Sequence, residues 1–477
     1  MSDYRSFLET KSQLGGDYGF EPLWMPDILF DFQGFLAAHA LRKGRYATFA
    51  DCGLGKTMIQ LTWGENIVRK TGKRIIVFAP LAVGNQTVRE GEKLGVECSH
   101  VRDGNIKGKA PVIVTNYEKL HLFSPDDFIG AVCDESSILK HFTGATQKAV
   151  TRFMSKMPYR LLCTATAAPN DYIELGTASE ALGELSYSEM LTRFFRQLDD
   201  KGQKKALKEQ AFAEKASKHY ARLAFRVSQS INQWRLKNHA VTDFWRWVAS
   251  WARALRKPSD IGFPDGAFVL PELTERDHVI SPHEPPEGML LTLPACGLRE
   301  ERDERRRTLR QRCEFVASLA EHKEPVVIWC HMNPEGKELE RIIPGSKNIE
   351  GATPDEEKEE TYEAFVSGQL RCLIIKPKIG AWGMNWQHCA HVITFASHSY
   401  EQYYQSVRRC WRFGQKRPVL LDVIATEGEA GVIANMRRKQ VQADLMFTAL
   451  VQQMNNSQAV KRSNKEHGSV ELPTWIK

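Results

Sequence analysis

Residues 50–57 have the sequence ADCGLGKT, from which the fold of this chain can first be predicted. It follows the apolar run YATFA, at residues 46–50, and precedes MIQLTWGENIVRK, at residues 58–70, which favours a helix. A strand, a glycine-containing turn and a helix in this order can surround a phosphate group, because backbone N–H groups and the positive end of the helix dipole point at it. Residues 50–57 therefore predict a phosphate-binding loop within an α/β fold.

The residues of this loop have separate predicted roles. Ala50 stands where the strict phosphate-loop pattern has its first glycine. Lys56 is expected to reach the terminal phosphates of ATP, and Thr57 is expected to ligate Mg²⁺. Three residues are expected to bind phosphate oxygens through their backbone N–H groups: Gly53, Leu54 and Gly55. The predicted cofactors are therefore ATP and Mg²⁺.

A pair of carboxylates follows another apolar run. FIGAVCD, at residues 128–134, ends in Asp134 and is followed directly by Glu135. An acidic pair after a strand is often only a solvated turn, but a phosphate loop upstream favours a catalytic site. Asp134 is then expected to hold Mg²⁺, and Glu135 to polarise the attacking water.

Short apolar runs alternate with helix-like stretches in two parts of the chain. Residues 21–184 contain YATFA, RIIVFA, PVIVTN, FIGAVCD and YRLLCTAT, and residues 269–451 contain PVVIWCH, RCLIIK, HVITFA and PVLLDVIA. This alternation predicts parallel sheets covered by helices on both faces. A chain of 477 residues also exceeds the size of one hydrophobic core, so two lobes are expected.

The segment between the two predicted lobes has a different character. Residues 185–268 favour helices, and residues 193–257 carry 16 Lys and Arg against 5 Asp and Glu, although the whole chain has a net charge of only +7. This segment is predicted to be a basic helical insertion or connector. Two terminal segments complete the division of the chain: an N-terminal segment at residues 1–20 and a flexible polar tail at residues 452–477.

Three aromatic residues of the insertion, Phe244, Trp247 and Trp251, lie at helical spacing. Such a stripe can stack on nucleic-acid bases or can seat its helix on a protein core. The core-facing interpretation is the more common one for this spacing. Both interpretations remain open from the sequence, with the core-facing one favoured.

A third group of residues lies in the second predicted lobe. Gln405, Arg409 and Arg412 belong to the run QSVRRCWRFGQ, at residues 405–415. On a helix, Arg409 and Arg412 share a face and can both point at one polyphosphate. Arginines that neutralise transferred phosphate in this way accelerate hydrolysis by about 10³–10⁵-fold. The two arginines are therefore predicted to be catalytic, with Gln405 beside them.

Taken together, these motifs resemble the superfamily 2 helicase-like ATPases, and specifically the Swi/Snf-type translocases, over roughly residues 30–415. The final motif of that branch, Q-x-x-x-R-x-x-R-x-G-Q, matches residues 405–415 at every fixed position. The pattern is similar to compact bacterial or phage-encoded members of the group. The resemblance implies two RecA-like lobes joined by the basic insertion.

The resemblance also implies roles for residues between these motifs. Gln33, upstream of the phosphate loop, corresponds to a glutamine that reads adenine in that family. Contacts to nucleic acid are implied for Thr115, Asn116 and Lys378, and proposed within the insertion for Lys204, Lys205 and Lys208. Coupling of hydrolysis to lobe movement is implied for Thr164, Thr166, Gly380 and Gly383. Ser137 stands where the family usually has histidine. The residue that usually connects the acidic motif to Thr164 in that family is therefore replaced here.

The implied function is an ATP-dependent motor that hydrolyses ATP between its lobes and steps along duplex DNA without reading sequence. A strand-separating DNA helicase, an RNA-dependent motor and a nucleic-acid-binding clamp with weak ATPase activity remain alternatives. DNA is the expected partner, with DNA-bound proteins as further partners, and a monomer is favoured. No apolar stretch approaches the roughly 20 residues that span a bilayer, so no membrane association and a cytoplasmic location, in a bacterial or infected host cell, are expected.

Overall fold

The structure is a computed structural model that describes residues 16–80, 83–140, 142, 144–168, 171–198, 234–282, 298–380 and 384–466. Four residues with predicted roles lie outside these ranges: Lys204, Lys205, Lys208 and Gly383.

The strands of the described ranges fall into two main sheets and one short hairpin-like pair. They are β1 Arg45–Ala50, β2 Ile75–Ala79, β3 Cys98–His100, β4 Val112–Asn116, β5 Gly130–Asp134, β6 Tyr159–Cys163, β7 Phe195–Gln197, β8 Trp234–Leu236, β9 Ala252–Leu255, β10 Leu273–Ile280, β11 Val326–Trp329, β12 Ser346–Ile349, β13 Cys372–Ile375, β14 His391–Phe395 and β15 Val419–Thr426.

The α-helices within the same ranges connect and cover these strands. They are α1 Asp31–Lys43, α2 Lys56–Thr71, α3 Gly84–Leu94, α4 Ala145–Met154, α5 Leu175–Leu182, α6 Tyr187–Phe194, α7 Val241–Trp251, α8 Leu298–Arg307, α9 Leu309–Leu319, α10 Asn333–Ile342, α11 Asp355–Val366, α12 Pro377–Gly380, α13 Tyr400–Val407 and α14 Ala430–Glu466.

The first lobe is built on a parallel sheet in the order β3-β4-β2-β5-β6-β1-β9. Every residue of β2, β4 and β5 is buried, which explains why these strands read as unbroken apolar runs. The second lobe has a parallel sheet in the order β10-β15-β14-β11-β13-β12. The predicted α/β class, with two lobes of parallel sheet covered by helices, is confirmed.

The first lobe extends beyond residue 184, where the sequence suggested that it ends. β9 pairs in parallel with β1, from Ala47 beside Ala252 to Ala50 beside Leu255. The sequence ARAL of β9 was predicted to continue a helix of the insertion, and that prediction is wrong. Ala, Arg and Leu all favour helices, but all four side chains are buried against the first sheet, and this pairing overrides their local preference.

The aromatic stripe of α7 belongs to the core of the first lobe. Phe244, Trp247 and Trp251 are at most 2% exposed. The Trp247 ring stacks on Phe194, with 5.2 Å between the ring centroids. The core-facing interpretation is confirmed, and stacking of these rings on nucleic-acid bases is excluded in this arrangement.

The C-terminal helix α14 joins the two lobes. Near its start, Arg437 forms an ion pair with Asp277 of β10 at 2.5 Å. Further along, four apolar side chains enter the core of the first lobe: Met446, Leu450, Val451 and Met454. The prediction that a flexible tail begins at residue 452 is therefore wrong, since the helix continues to Glu466. The many polar residues of this segment concealed one apolar helix face.

Among the helices of the described residues, none is both long enough and apolar enough to cross a membrane.

Met454 provides a test of this connection between the lobes. Its side chain is fully buried, so Met454→Ala should leave a cavity and lower the free energy of unfolding by about 2–5 kcal/mol. Val441 lies on the same helix but is 59% exposed, so Val441→Ala is the matched control and should change stability by less than about 0.5 kcal/mol. Urea denaturation followed by tryptophan fluorescence measures both, and equal stabilities for the two variants would contradict the packing.

Candidate nucleotide site between the lobes

The phosphate loop has the backbone conformation that its glycines permit. Gly53 and Gly55 have φ values of 86° and 75°, in the left-handed region that favours glycine. Gly55 directly precedes α2 and is the residue at its N-cap. The loop thus places the N-terminus of a 16-residue helix behind the position predicted for phosphate.

Lys56 is buried at the base of the loop. Its Nζ donates to the backbone oxygen of Ala50 at 3.1 Å and to that of Asp51 at 3.4 Å. Burial lowers the pKa of Lys56, but Glu135, Cys52, Asp134 and Asp51 together raise it above its ordinary value. The ammonium group is therefore charged and surrounded by acceptors, as a phosphate-binding lysine requires.

The predicted acidic pair lies beside this lysine at the end of β5. Gln60 of α2 donates to Asp134 Oδ1 at 2.7 Å. Burial, together with the adjacent Glu135, raises the pKa of Asp134 to about 6. Among the residues that the structure describes, Glu135 is the one residue other than glycine with a positive φ, at 51°. Such a strained backbone is typical of functional sites.

A hydroxyl connects the acidic pair to the predicted coupling segment. Thr164 Oγ1 donates to Glu135 Oε2 at 3.4 Å and accepts from the backbone N–H of Thr166 at 3.1 Å. Both threonines are buried. Glu135 therefore contacts this segment directly, although Ser137 replaces the histidine that the resemblance led us to expect.

Gln33 lies against the outside of the phosphate loop. Its Nε2 donates to the Leu54 oxygen at 3.1 Å, and its Oε1 accepts from the Phe30 N–H at 3.2 Å. A Cβ atom at Gly55 would lie 2.3 Å from Gln33 Nε2, so this close approach itself requires glycine. The amide thus supports the loop, and recognition of adenine by Gln33 stays a prediction.

Arg409 and Arg412 converge, but not by the geometry that the sequence suggested. Helix α13 ends at Val407, so both arginines lie in the turns that follow it. Each donates to the same acceptor, the Met384 oxygen, at 3.0 Å. Arg409 also donates to Gln405 Oε1 at 2.7 Å, and its Nη2 lies 3.8 Å from Cys52 Sγ of the phosphate loop. The predicted single helix face is wrong, yet the turns bring both guanidinium groups to one place beside the loop.

Sequence reasoning missed a residue of the second lobe that forms a buried ion pair with the loop. Arg408 Nη2 donates to Asp51 Oδ2 at 2.7 Å and to the Cys52 oxygen at 3.0 Å. The hydroxyl of Tyr404 donates to the other oxygen of the Asp51 carboxylate. A carboxylate inside a phosphate loop signals that a cation must be close. The sequence contains many arginines and lysines, and nothing in it selects Arg408.

A cleft of about 550 Å³ opens next to Glu135, between the two lobes. Its walls, built by both lobes, carry four basic side chains, Arg102, Lys140, Lys358 and Lys378, and five acidic ones, Glu118, Glu135, Asp355, Glu359 and Glu401. Thr115 and Asn116, which were predicted to contact nucleic acid, are at most 2% exposed and do not reach its surface. Tyr117 of the same motif does line the cleft, and its hydroxyl donates to the Asp134 backbone oxygen at 2.6 Å.

Gly380 packs tightly in the second lobe behind Lys378. A Cβ atom at Gly380 would lie 2.5 Å from Ile375 Cδ1, so a larger residue would force the Ile375 side chain to shift. Lys378 itself is exposed at the cleft. The predicted coupling role of Gly380 stays a prediction, and its partner Gly383 lies outside the described residues.

The raised pKa of Asp134 predicts a pH-dependent effect on stability. A carboxyl group that binds protons more tightly when folded destabilises the folded protein as pH rises, here from its ordinary pKa of 3.8 through about 6. At pH 7.5, Asp134→Asn should therefore raise the free energy of unfolding by roughly 1–3 kcal/mol in the absence of nucleotide and Mg²⁺. The gain should shrink as the pH is lowered towards 4.

Urea denaturation at pH 5 and pH 7.5 measures this difference. The amide oxygen introduced by Asp134→Asn can still accept from Gln60, so the substitution removes the charge and keeps the contact. Asp127→Asn is the control, since Asp127 is exposed and lies in the same lobe. An Asp134→Asn variant no more stable than wild type at pH 7.5 would show that the buried carboxylate is not unfavourable.

Comparisons with known proteins agree with this architecture in the second lobe. Residues 309–414 match the helicase conserved C-terminal domain. Among solved structures, the SWI2/SNF2 ATPase core of Sulfolobus solfataricus in complex with dsDNA is similar, with 15% identity, a TM-score of 0.39 and coverage of 91% of this chain and 96% of that chain. None of the curated proteins matches the chain. The second lobe, at residues 309–414, is thus similar to the helicase conserved C-terminal domain.

Proposed function

We propose that this protein is an ATP-dependent motor of the Swi/Snf type, which hydrolyses ATP between its lobes and steps along duplex DNA without reading sequence. One observation carries the proposal. The phosphate loop and acidic pair of the first lobe meet an arginine group of the second lobe, with Arg409 Nη2 3.8 Å from Cys52 Sγ. A site divided between two lobes can change its chemistry when the lobes move.

The first lobe supplies the groups that bind ATP and activate water. Lys56 binds the terminal phosphates, and the backbone N–H groups of residues 53–55 surround them. Thr57 and Asp134 hold Mg²⁺, which neutralises phosphate charge when bound. Two adjacent buried carboxylates suit this ion, because a divalent cation relieves the burial and repulsion that raise the pKa of Asp134. Glu135 orients the attacking water.

The second lobe supplies positive charge. Arg409 and Arg412 share one backbone acceptor, so their guanidinium groups are held close together. Burial, and then the nearby Arg409, lowers the pKa of Arg412 to about 10. Such a crowded pair favours an anion that can satisfy both groups, and the γ-phosphate of ATP in the closed cleft is that anion.

Lobe movement then follows from the hydrogen bond between Glu135 and Thr164. Loss of the γ-phosphate changes the charge next to Glu135, and Thr164 passes the change to Thr166 on the wall that faces the second lobe. Each cycle of closing and opening shifts one lobe relative to the other along the nucleic-acid backbone. Gly380 keeps α12, the helix that carries Lys378, packed against the second lobe during this movement.

Nucleic acid binds in the cleft beside the ATP site. Basic and acidic residues from both lobes line it, and the exposed Lys378 is the basic residue that we expect to contact a nucleic-acid phosphate. Lys204, Lys205 and Lys208 of the insertion extend the phosphate contacts. Duplex DNA is chosen over RNA because residues 405–415 match the final motif of the Swi/Snf-type branch.

Substitution of Lys56 tests the proposed ATPase activity. Lys56→Ala should abolish hydrolysis in a phosphate-release assay, because no other cation of the loop reaches the terminal phosphates. Glu135→Gln should lower kcat by at least about 100-fold while ATP binding persists. Lys70→Ala is the control, since Lys70 is exposed at the far end of the same helix and should leave the rate unchanged. Equal, background-level rates for wild type and Glu135→Gln would instead indicate a nucleic-acid clamp without ATPase activity.

The type of nucleic acid that the protein uses is tested by measuring ATP hydrolysis while duplex DNA, single-stranded DNA or RNA of matched length is titrated. Duplex DNA should give the largest stimulation, and a strand-displacement assay should give no product. Stimulation by single-stranded DNA together with displaced strands would favour a strand-separating helicase. RNA stimulation above that of DNA would contradict the choice of DNA.

A further inference from the structure

Asp51 places a negative charge inside the loop that is proposed to receive a triphosphate. The backbone N–H of Cys52 donates to Asp51 Oδ1 at 2.6 Å, so the carboxylate folds back onto the loop itself. Lys56 Nζ lies 3.4 Å from the Asp51 backbone oxygen. The charge of the Asp51 carboxylate acts on the same lysine, since it helps to raise the pKa of Lys56, and it repels a bound polyphosphate unless a second cation neutralises it.

Arg408 of the second lobe is that cation. Its ion pair with Asp51 at 2.7 Å is nearly shielded from water, with side-chain exposures of 5% for Arg408 and 10% for Asp51. Burial lowers the pKa of Arg408, but Asp51, Tyr404 and Cys52 together raise it above its ordinary value, so the guanidinium group stays charged. The ring of Trp411, whose centroid lies 4.9 Å from the guanidinium carbon, helps to hold Arg408 in place.

This ion pair differs from the other ion pairs that cross the cleft. Arg89 with Glu363 and Arg102 with Glu359 also join the lobes, but their side chains are 40–65% exposed. Lys140 with Glu401 is largely shielded, with exposures of 17% and 13%, but neither residue belongs to the phosphate loop. Exposed pairs contribute about 0–1 kcal/mol, whereas removing one partner of a buried pair leaves a strongly unfavourable charge. Separation of the lobes therefore removes the buried cation that neutralises the phosphate loop at Asp51.

We propose that Arg408 is a positioning residue that links lobe closure to nucleotide affinity through Asp51. When the lobes are together, Arg408 neutralises Asp51 and the loop holds nucleotide tightly. When the lobes part, the uncovered carboxylate repels the phosphates and nucleotide is released. This inference rests on the proposed nucleotide-binding function and deepens it, by naming what makes the affinity depend on lobe position.

The test is a double-mutant cycle with Arg408→Gln, Asp51→Asn and the double variant. A fluorescent ADP analogue, titrated at equilibrium, gives the Kd for each protein. Arg408→Gln should raise the Kd at least about tenfold, because Asp51 keeps its charge without a cation that neutralises it. Asp51→Asn should lower the Kd severalfold, because the repelling charge is gone. In the Asp51→Asn background, adding Arg408→Gln should change the Kd by less than about twofold.

Thermal unfolding of each variant and two further variants separate this role from a merely structural one. Arg408→Lys keeps the positive charge and should restore most of the affinity that Arg408→Gln loses. Arg417→Gln is the control, since Arg417 is exposed and pairs with Glu324 within its own lobe. If the ion pair had only a structural role, Arg408→Gln and Asp51→Asn would both weaken binding of the ADP analogue as they lower stability. Opposite changes in Kd for the two variants would not be expected.

The possible outcomes distinguish the two proposals. Tighter binding of the ADP analogue by Arg408→Gln would overturn the inference. It would show that the ion pair keeps the lobes closed and excludes nucleotide. An equal effect of Arg408→Gln in the wild-type and Asp51→Asn backgrounds would also overturn it, because the effect would not pass through the carboxylate. Failure of the wild-type protein to bind ADP would refute the proposed function itself.

Discussion

The parallel pairing of β1, β6 and β5 is the constraint on which the site depends. Thr48 and Asp134 are both in register with Cys163, one from each side of β6. Three strand ends therefore lie side by side, and the chain leaving them must supply the phosphate loop, the acidic pair and the Thr164 segment at one edge of the sheet. The close approach of Lys56, Asp134 and Glu135 follows from this register.

The charge collected at that edge is not balanced within one lobe. Asp51, Asp134 and Glu135 surround the single ammonium group of Lys56. On the facing side, Arg408, Arg409 and Arg412 lie in consecutive turns of the second lobe. Buried charges are tolerated when they are paired, so each lobe completes the other where they meet.

The two lobes are attached differently at different places. Along α14, apolar side chains such as Met446 and Met454 enter the core of the first lobe and are shielded from water. Across the cleft, exposed ion pairs such as Arg89 with Glu363 can open at little cost. An apolar attachment on one side and polar contacts on the other is an arrangement that permits the cleft to open and close while the lobes remain joined.

The sequence by itself determined the elements whose pattern is local. The phosphate loop, the strands β2, β4 and β5 and the acidic pair could be predicted, because fully buried strands and glycine-dependent turns leave their pattern in adjacent residues. The membership of β9 in the first sheet could not, since its residues favour a helix and only pairing with β1 makes them a strand. The apolar face of α14 was likewise concealed in a polar segment.

The tertiary structure alone decided which distant groups meet. Arg409 and Arg412 were identified from their motif, but the turns after Val407, and not a helix, bring them together. Arg408 stands next to them with the same side chain, and only the packing of the lobes directs it onto Asp51. The physical reason is that local pattern records burial and backbone conformation, whereas the partner of a charged side chain depends on contacts between residues hundreds of positions apart.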